Sequence, residues 1–115
     1  FNLTPKLDTL QLMDFDRFKK SIKNVEPDSS LTRELKALWY DARGDWNKAH
    51  ELIQDETTRH ASWIHAYLHR KEGDIGNAMY WYSKARKPLA QTSLSEEWEG
   101  IARDLIQELK DQSTS

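Results

Sequence analysis

The chain has 115 residues, a formal net charge of −2, a pI near 6.1, and 31% charged against 37% hydrophobic residues. That is the size of one domain, taken here as 1–115, and it lacks the basic excess of a nucleic-acid-binding surface. The absence of cysteine excludes disulfides and thiolate metal sites, and no apolar run reaches the roughly 20 residues of a membrane-spanning helix. No signal-peptide pattern is visible, so a cytoplasmic protein without nucleic-acid or membrane partners is expected.

Thr4-Pro5 reads as an extended lead-in. Asp14 is placed to cap a short helix over 14–23, with Phe15, Phe18 and Ile22 on one face at helical spacing. Pro27, Asp28, Ser29 and Ser30 make a turn and capping cluster. The second helix is predicted over 31–43, with Leu31, Leu35, Leu38, Trp39 and Ala42 as its apolar stripe. Gly44 suits the left-handed residue that ends a helix, because it has no Cβ to clash. Asp45 then caps a third helix that buries Trp46, Ala49, Leu52 and Ile53. The fourth helix spans 58–72. Gly73 stops it, and Asp74 caps a fifth carrying Ile75, Ala78, Met79, Tyr82 and Ala85, which Pro88 ends. Ser93 and Glu96 have capping-box spacing and open a last helix over 93–110. The tail from Gln112 reads as disordered. Apolar residues recur at three and four rather than two, so the predicted class is all-α.

One phrase occurs twice. Ala37 and Ala66, Gly44 and Gly73, Asp45 and Asp74, and Ala49 and Ala78 each stand 29 residues apart. Helix-forming residues duplicated around a Gly-Asp hinge predict stacked helical hairpins. The unit Gly73-Asp74-Ile75, Ala78, Tyr82, Ala85 and Pro88 resembles the second half of a tetratricopeptide repeat, and Ala66 stands where that family places the small residue of its first helix. Ala37, Tyr40, Gly44, Asp45, Trp46, Ala49 and Ile53 fill the same slots earlier, with Glu56 in place of the later Ala. Gly100 lies 34 residues past Ala66, the family's usual period, as the small contact residue of a closing helix. The string from His65 to Tyr82 also resembles small bacterial proteins with no assigned activity. The first offset is shorter than the family's, and His69 replaces an aromatic. The resemblance covers about 31–106. It implies a tetratricopeptide-like array of about six helices: units over 31–56 and 58–88 between capping helices over 14–23 and 93–110. It also implies a binding module whose ligands lie against the first helices of the hairpins.

On that face of the fourth helix stand His60, Trp63, Tyr67, Arg70 and Lys71. Rings and cations together suit an acidic peptide or a chain-terminal carboxylate, which Arg70 would hold with its fork. The competing account makes Trp63 and Tyr67 core residues, and Arg70 and Lys71 cations matched to the helix C-terminus. The second helix offers Glu34, Leu38, Asp41 and Ala42, which is not basic, and the family's Lys and Asn clamp is absent. His65 and His69 are four apart, with His50 on the preceding helix, a spacing that can share a zinc ion. Ala66 stands where a catalytic zincin has Glu, and only Asp41 or Glu51 offers itself as a carboxylate ligand. Buried, hydrogen-bonded histidines explain this set more simply, so no metal or cofactor is expected. With Met79 and Tyr82 facing the core, Tyr80 or Trp81 is partly exposed, and Trp81 is a candidate contact anchor. Nucleophile triads, phosphate loops and carboxylate dyads are not found. The leading expectation is a non-enzymatic protein-interaction module with a protein or peptide partner, acidic in character. The alternatives are a small-molecule or metal-binding protein using His50, His65 and His69, and a homo-oligomer formed through the aromatic surface.

Overall fold

The computed structural model describes residues 14–114. Six helices make up the described chain, and it contains no strand: α1 (Phe15–Ser21), α2 (Arg33–Ala42), α3 (Trp46–Ile53), α4 (Arg59–Lys71), α5 (Ile75–Ala85) and α6 (Leu94–Thr114). The all-α expectation holds. The Thr4-Pro5 lead-in lies outside the described residues. No helix among them is long and apolar enough to cross a membrane.

Side-chain caps fix where five helices start. Asp14, Thr32, Asp45, Thr58 and Asp74 accept hydrogen bonds from the backbone N–H of Arg17, Leu35, Lys48, Ala61 and Asn77, each three residues on. Each bond satisfies a donor that has no partner inside its helix. Ser93 and Glu96 close the capping box reciprocally, with both bonds at 3.0 Å. The second helix starts later than expected, because Thr32 is the cap. Asp28 instead holds the preceding turn, accepting from the Ser30 N–H and hydroxyl.

Both hinge glycines take positive φ, 87° at Gly44 and 89° at Gly73. The terminating bonds are duplicated with them. Gly44 N–H donates to Asp41 O and Asp45 N–H to Tyr40 O; Gly73 N–H donates to Arg70 O and Asp74 N–H to His69 O. This paired pattern satisfies carbonyls the helix cannot. α5 ends the same way without glycine. Arg86 sits at φ 59°, with Arg86 N–H on Ser83 O and Lys87 N–H on Tyr82 O. Pro88, expected to end α5, follows a helix that has already stopped.

α2 packs on α3 and α4 on α5, each pair joined by a three-residue turn as in antiparallel hairpins, and α6 lies against α4, α2 and α1. The main core gathers Phe18, Leu35, Leu38, Trp39, Ile53, Ile64, Leu68 and Ile101. Indoles join its layers: Trp39 Nε1–H donates to Ser21 O, Trp46 to Leu68 O, and Trp98 to Leu38 O. Phe18 stacks on Trp98 with ring centroids 5.8 Å apart. Ala66, Ala78 and Tyr82 form a second cluster between α4 and α5, and Ala49 and Ala78 are fully buried as their repeat positions predict.

Four expectations fail on geometry. Ile75 and Met79 are exposed, at 45% and 49%, because the face of α5 that reaches α4 runs through Ala78, Tyr82 and Ala85. Ala42, at the end of the second helix's stripe, is exposed. Gly100 is exposed, with open space where a Cβ would stand, so it is not a helix contact. α6 runs on to Thr114, so the residues from Gln112 to Thr114 are helical rather than disordered.

Candidate functional site

The aromatic and basic face of α4 has partners within the chain. Tyr67 is 2% exposed, and its hydroxyl donates to Asp41 Oδ2 at 2.7 Å. Lys71 Nζ meets the other oxygen of Asp41 at 2.8 Å. Arg70 meets Glu97 at 2.7 Å and also reaches the Thr92 carbonyl. Glu97 is a buried carboxylate that also accepts from Trp63 Nε1–H at 3.0 Å and from the Tyr82 hydroxyl at 2.6 Å. His60 is held against α6, with Nε2 2.9 Å from Asp104 and Nδ1 3.1 Å from Glu108. Burial first, and the adjacent Asp41 carboxylate second, push the Tyr67 phenol well above its ordinary range. Burial and the bond to Glu97 do the same to Tyr82. Both phenols therefore remain donors.

The five residues read as a free recognition face thus bind carboxylates of this chain. Asp41 stands on α2 and Glu97 on α6, far from α4 in sequence, so spacing along α4 could not reveal them. Trp81, expected with Tyr80 to be partly exposed, has an aromatic partner within the chain. It is half-buried and stacks on His65, with ring centroids 3.8 Å apart. Among the described residues the large exposed aromatic is Tyr80, at 55%.

A groove of about 660 Å³ opens between α1, α2, α4 and α6. Ile22, Ala42, Tyr67, Leu94 and Trp98 give it an apolar lining. Lys19, Lys20, Lys23 and Lys71 stand against two carboxylates, Asp41 and Glu99. Asp41 is committed to Tyr67 and Lys71, and Glu99 to Arg103. Lys19, Lys20 and Lys23 make no ion pair among the described residues. A chain of net charge −2 therefore has a locally cationic groove. Tyr67 and Lys71 were legible in the sequence as groove residues. The three lysines of α1 and its following turn were missed, although Lys19 and Lys20 stand four and three residues before Lys23, spacings that place each beside it.

Across α4 lies a second constellation. At about 100° per residue, His65 and His69 fall nearly opposite Tyr67. They meet His50 of α3, and one ligand atom from each of the three lies within 4.8 Å of the others. His50 Nε2 and His65 Nε2 are 3.1 Å apart. His69 Nδ1 lies 2.7 Å from Glu72 Oε2. Trp46 stacks on His50 and Trp81 on His65, so indoles wall both rings. Burial, reinforced by the neighbouring imidazoles, pushes His65 down to about 3. Burial and His69 lower His50, partly offset by Glu72. Neither Asp41 nor Glu51 joins the cluster; the carboxylate beside it is Glu72.

No family model, no curated protein and no solved structure matches the chain.

Proposed function

We propose that the protein is a non-enzymatic protein-interaction module whose groove between α1, α2, α4 and α6 takes an acidic, partly apolar segment of a partner protein. The observation that carries this reading is the pairing of an apolar lining with three lysines that make no ion pair among the described residues. Apolar lining supplies the burial that holds a segment, and the lysines select its charge and speed encounter. The resemblance to tetratricopeptide repeats supports the same side of the molecule, since α2 and α4 are the first helices of their hairpins. Arg70 no longer belongs to the recognition set, because its fork is filled by Glu97 and Thr92.

The test is fluorescence anisotropy with a labelled peptide of alternating glutamate and leucine. Binding is expected, and the double substitution Lys20→Glu and Lys23→Glu should weaken it by about tenfold or more, a change of roughly 1.4 kcal/mol or more. Salt should weaken it too, because charges at a groove rim are screened over about 10 Å at 0.1 M ionic strength. A peptide that fails to bind, or binds the double variant equally well, contradicts the reading.

A further inference from the structure

We propose that His50, His65 and His69 form a three-imidazole site for a divalent transition metal ion, with zinc as the ion it fits. The proposal concerns the face of α4 opposite the groove and stands independently of peptide binding. Three features carry it.

The first is convergence. The residues come from two helices, and their ligand atoms fall within 4.8 Å of one another. A tetrahedral zinc ion with bonds of about 2.0–2.1 Å to nitrogen has ligand atoms about 3.3–3.4 Å apart. His50 Nε2 and His65 Nε2 stand 3.1 Å apart, close to one edge of that figure. Without an ion, one of these two nitrogens must donate to the other. An ion between them uses both lone pairs.

The second is the carboxylate behind His69. Glu72 Oε2 lies 2.7 Å from His69 Nδ1. A metal-bound imidazole commonly gives its other N–H to a carboxylate, which fixes the tautomer and strengthens the ligand. With the Nδ1 proton on Glu72, the lone pair of His69 is at Nε2.

The third is the setting. The indoles of Trp46 and Trp81 lie nearly parallel to the rings of His50 and His65, at interplanar angles of 7° and 13°, and hold them in place. His65 and His69 are buried while His50 is half-exposed. The exposed edge at His50 is the proposed entry for the ion and for a water as fourth ligand, as in zinc sites with three protein ligands. Imidazole nitrogens without thiolates or a set of oxygens do not suit calcium, magnesium or copper(I).

The experiment uses the full chain without a polyhistidine tag, stripped with a chelator and titrated with zinc chloride by calorimetry and by competition with a chromophoric chelator. One equivalent should bind, and the melting temperature should rise by several degrees, since a ligand specific for the native state stabilises it. His50→Ala should abolish stoichiometric binding. That side chain is half-exposed, so the variant is expected to fold, and circular dichroism checks this. Glu72→Gln, which keeps all three imidazoles, should weaken binding by about 10–100-fold. Sub-stoichiometric zinc, or an affinity that either substitution leaves unchanged, overturns the proposal.

Discussion

Tyr67 of α4 donates its hydroxyl to Asp41 of α2 at 2.7 Å, and the same carboxylate holds Lys71. A side chain placed to recognise a foreign carboxylate has thus been taken up by one of the chain's own. The bond ties the first helices of the two hairpins together beneath the groove. On the proposed reading, the groove cations left for a partner among the described residues are Lys19, Lys20 and Lys23.

Glu97 makes the equivalent tie on α6, where Trp63, Tyr82 and Arg70 all donate to it. Its side chain is 2% exposed and that of Arg70 18%. Removing the carboxylate leaves a mostly buried guanidinium without its ion pair, and a buried phenol and a half-buried indole without this acceptor. Glu97→Ala should cost about 3–5 kcal/mol. Urea denaturation measures this, and a loss below about 1 kcal/mol would show that the network contributes little.

Gly73 holds φ 89° with nothing within 4 Å of an added Cβ. The cost of Gly73→Ala is therefore conformational rather than steric, about 1 kcal/mol or more. Thermal unfolding should show a melting temperature lower by several degrees. An unchanged value would mean the helix can stop without a left-handed residue.

Ala78 is fully buried where α5 meets α4. Ala78→Leu should overpack this contact at a cost of about 1–3 kcal/mol, read from the denaturation midpoint. Equal stability would contradict the close approach of the two helices.

His65 imposes a pH dependence on the metal-free protein. Its folded value is about 3 against 6.5 for an ordinary imidazole, so protonation favours the unfolded chain. The contribution is complete above about pH 6.5 and is lost progressively as pH falls toward 3. His50 shifts in the same direction; His69 faces both rings, and Glu72 opposes the shift at His50. Thermal scans in a chelator should show the melting temperature falling by several degrees between pH 7 and 5, where most carboxylates are still ionised. A flat profile over that interval would contradict the buried, neutral state of His65.

Much of the fold was legible because it is written locally. A cap reads three residues ahead, and a Gly-Asp hinge reads its own turn, so Asp14, Gly44, Asp45, Gly73, Asp74 and the Ser93–Glu96 box all stand as expected. Local signals also misled. Periodicity put Ile75 and Met79 inside, because it marks an apolar stripe without saying how wide the partner helix is. The site was less legible for the same reason. Asp41 and Glu97 reach α4 across 26 and 27 residues, and Lys19 to Lys23 meet Tyr67 and Lys71 only in the folded groove. The histidine cluster was half visible. The spacing of His65 and His69 announced a shared face and His50 was named on the preceding helix, but its approach depends on how α3 packs on α4, whereas Glu72, three residues past His69, was a local contact left unread.

The central claim is that the lysine-bearing groove is the binding surface. The most direct measurement is two-dimensional NMR of the isotope-labelled protein as the acidic peptide is added. The backbone amides of Lys19, Lys20, Lys23, Ala42 and Lys71 and the indole N–H of Trp98 should move together and saturate, while those of the exposed α5 residues Ile75, Met79 and Tyr80 stay in place. Movement centred on α5, or no saturable movement around the groove, would contradict the account.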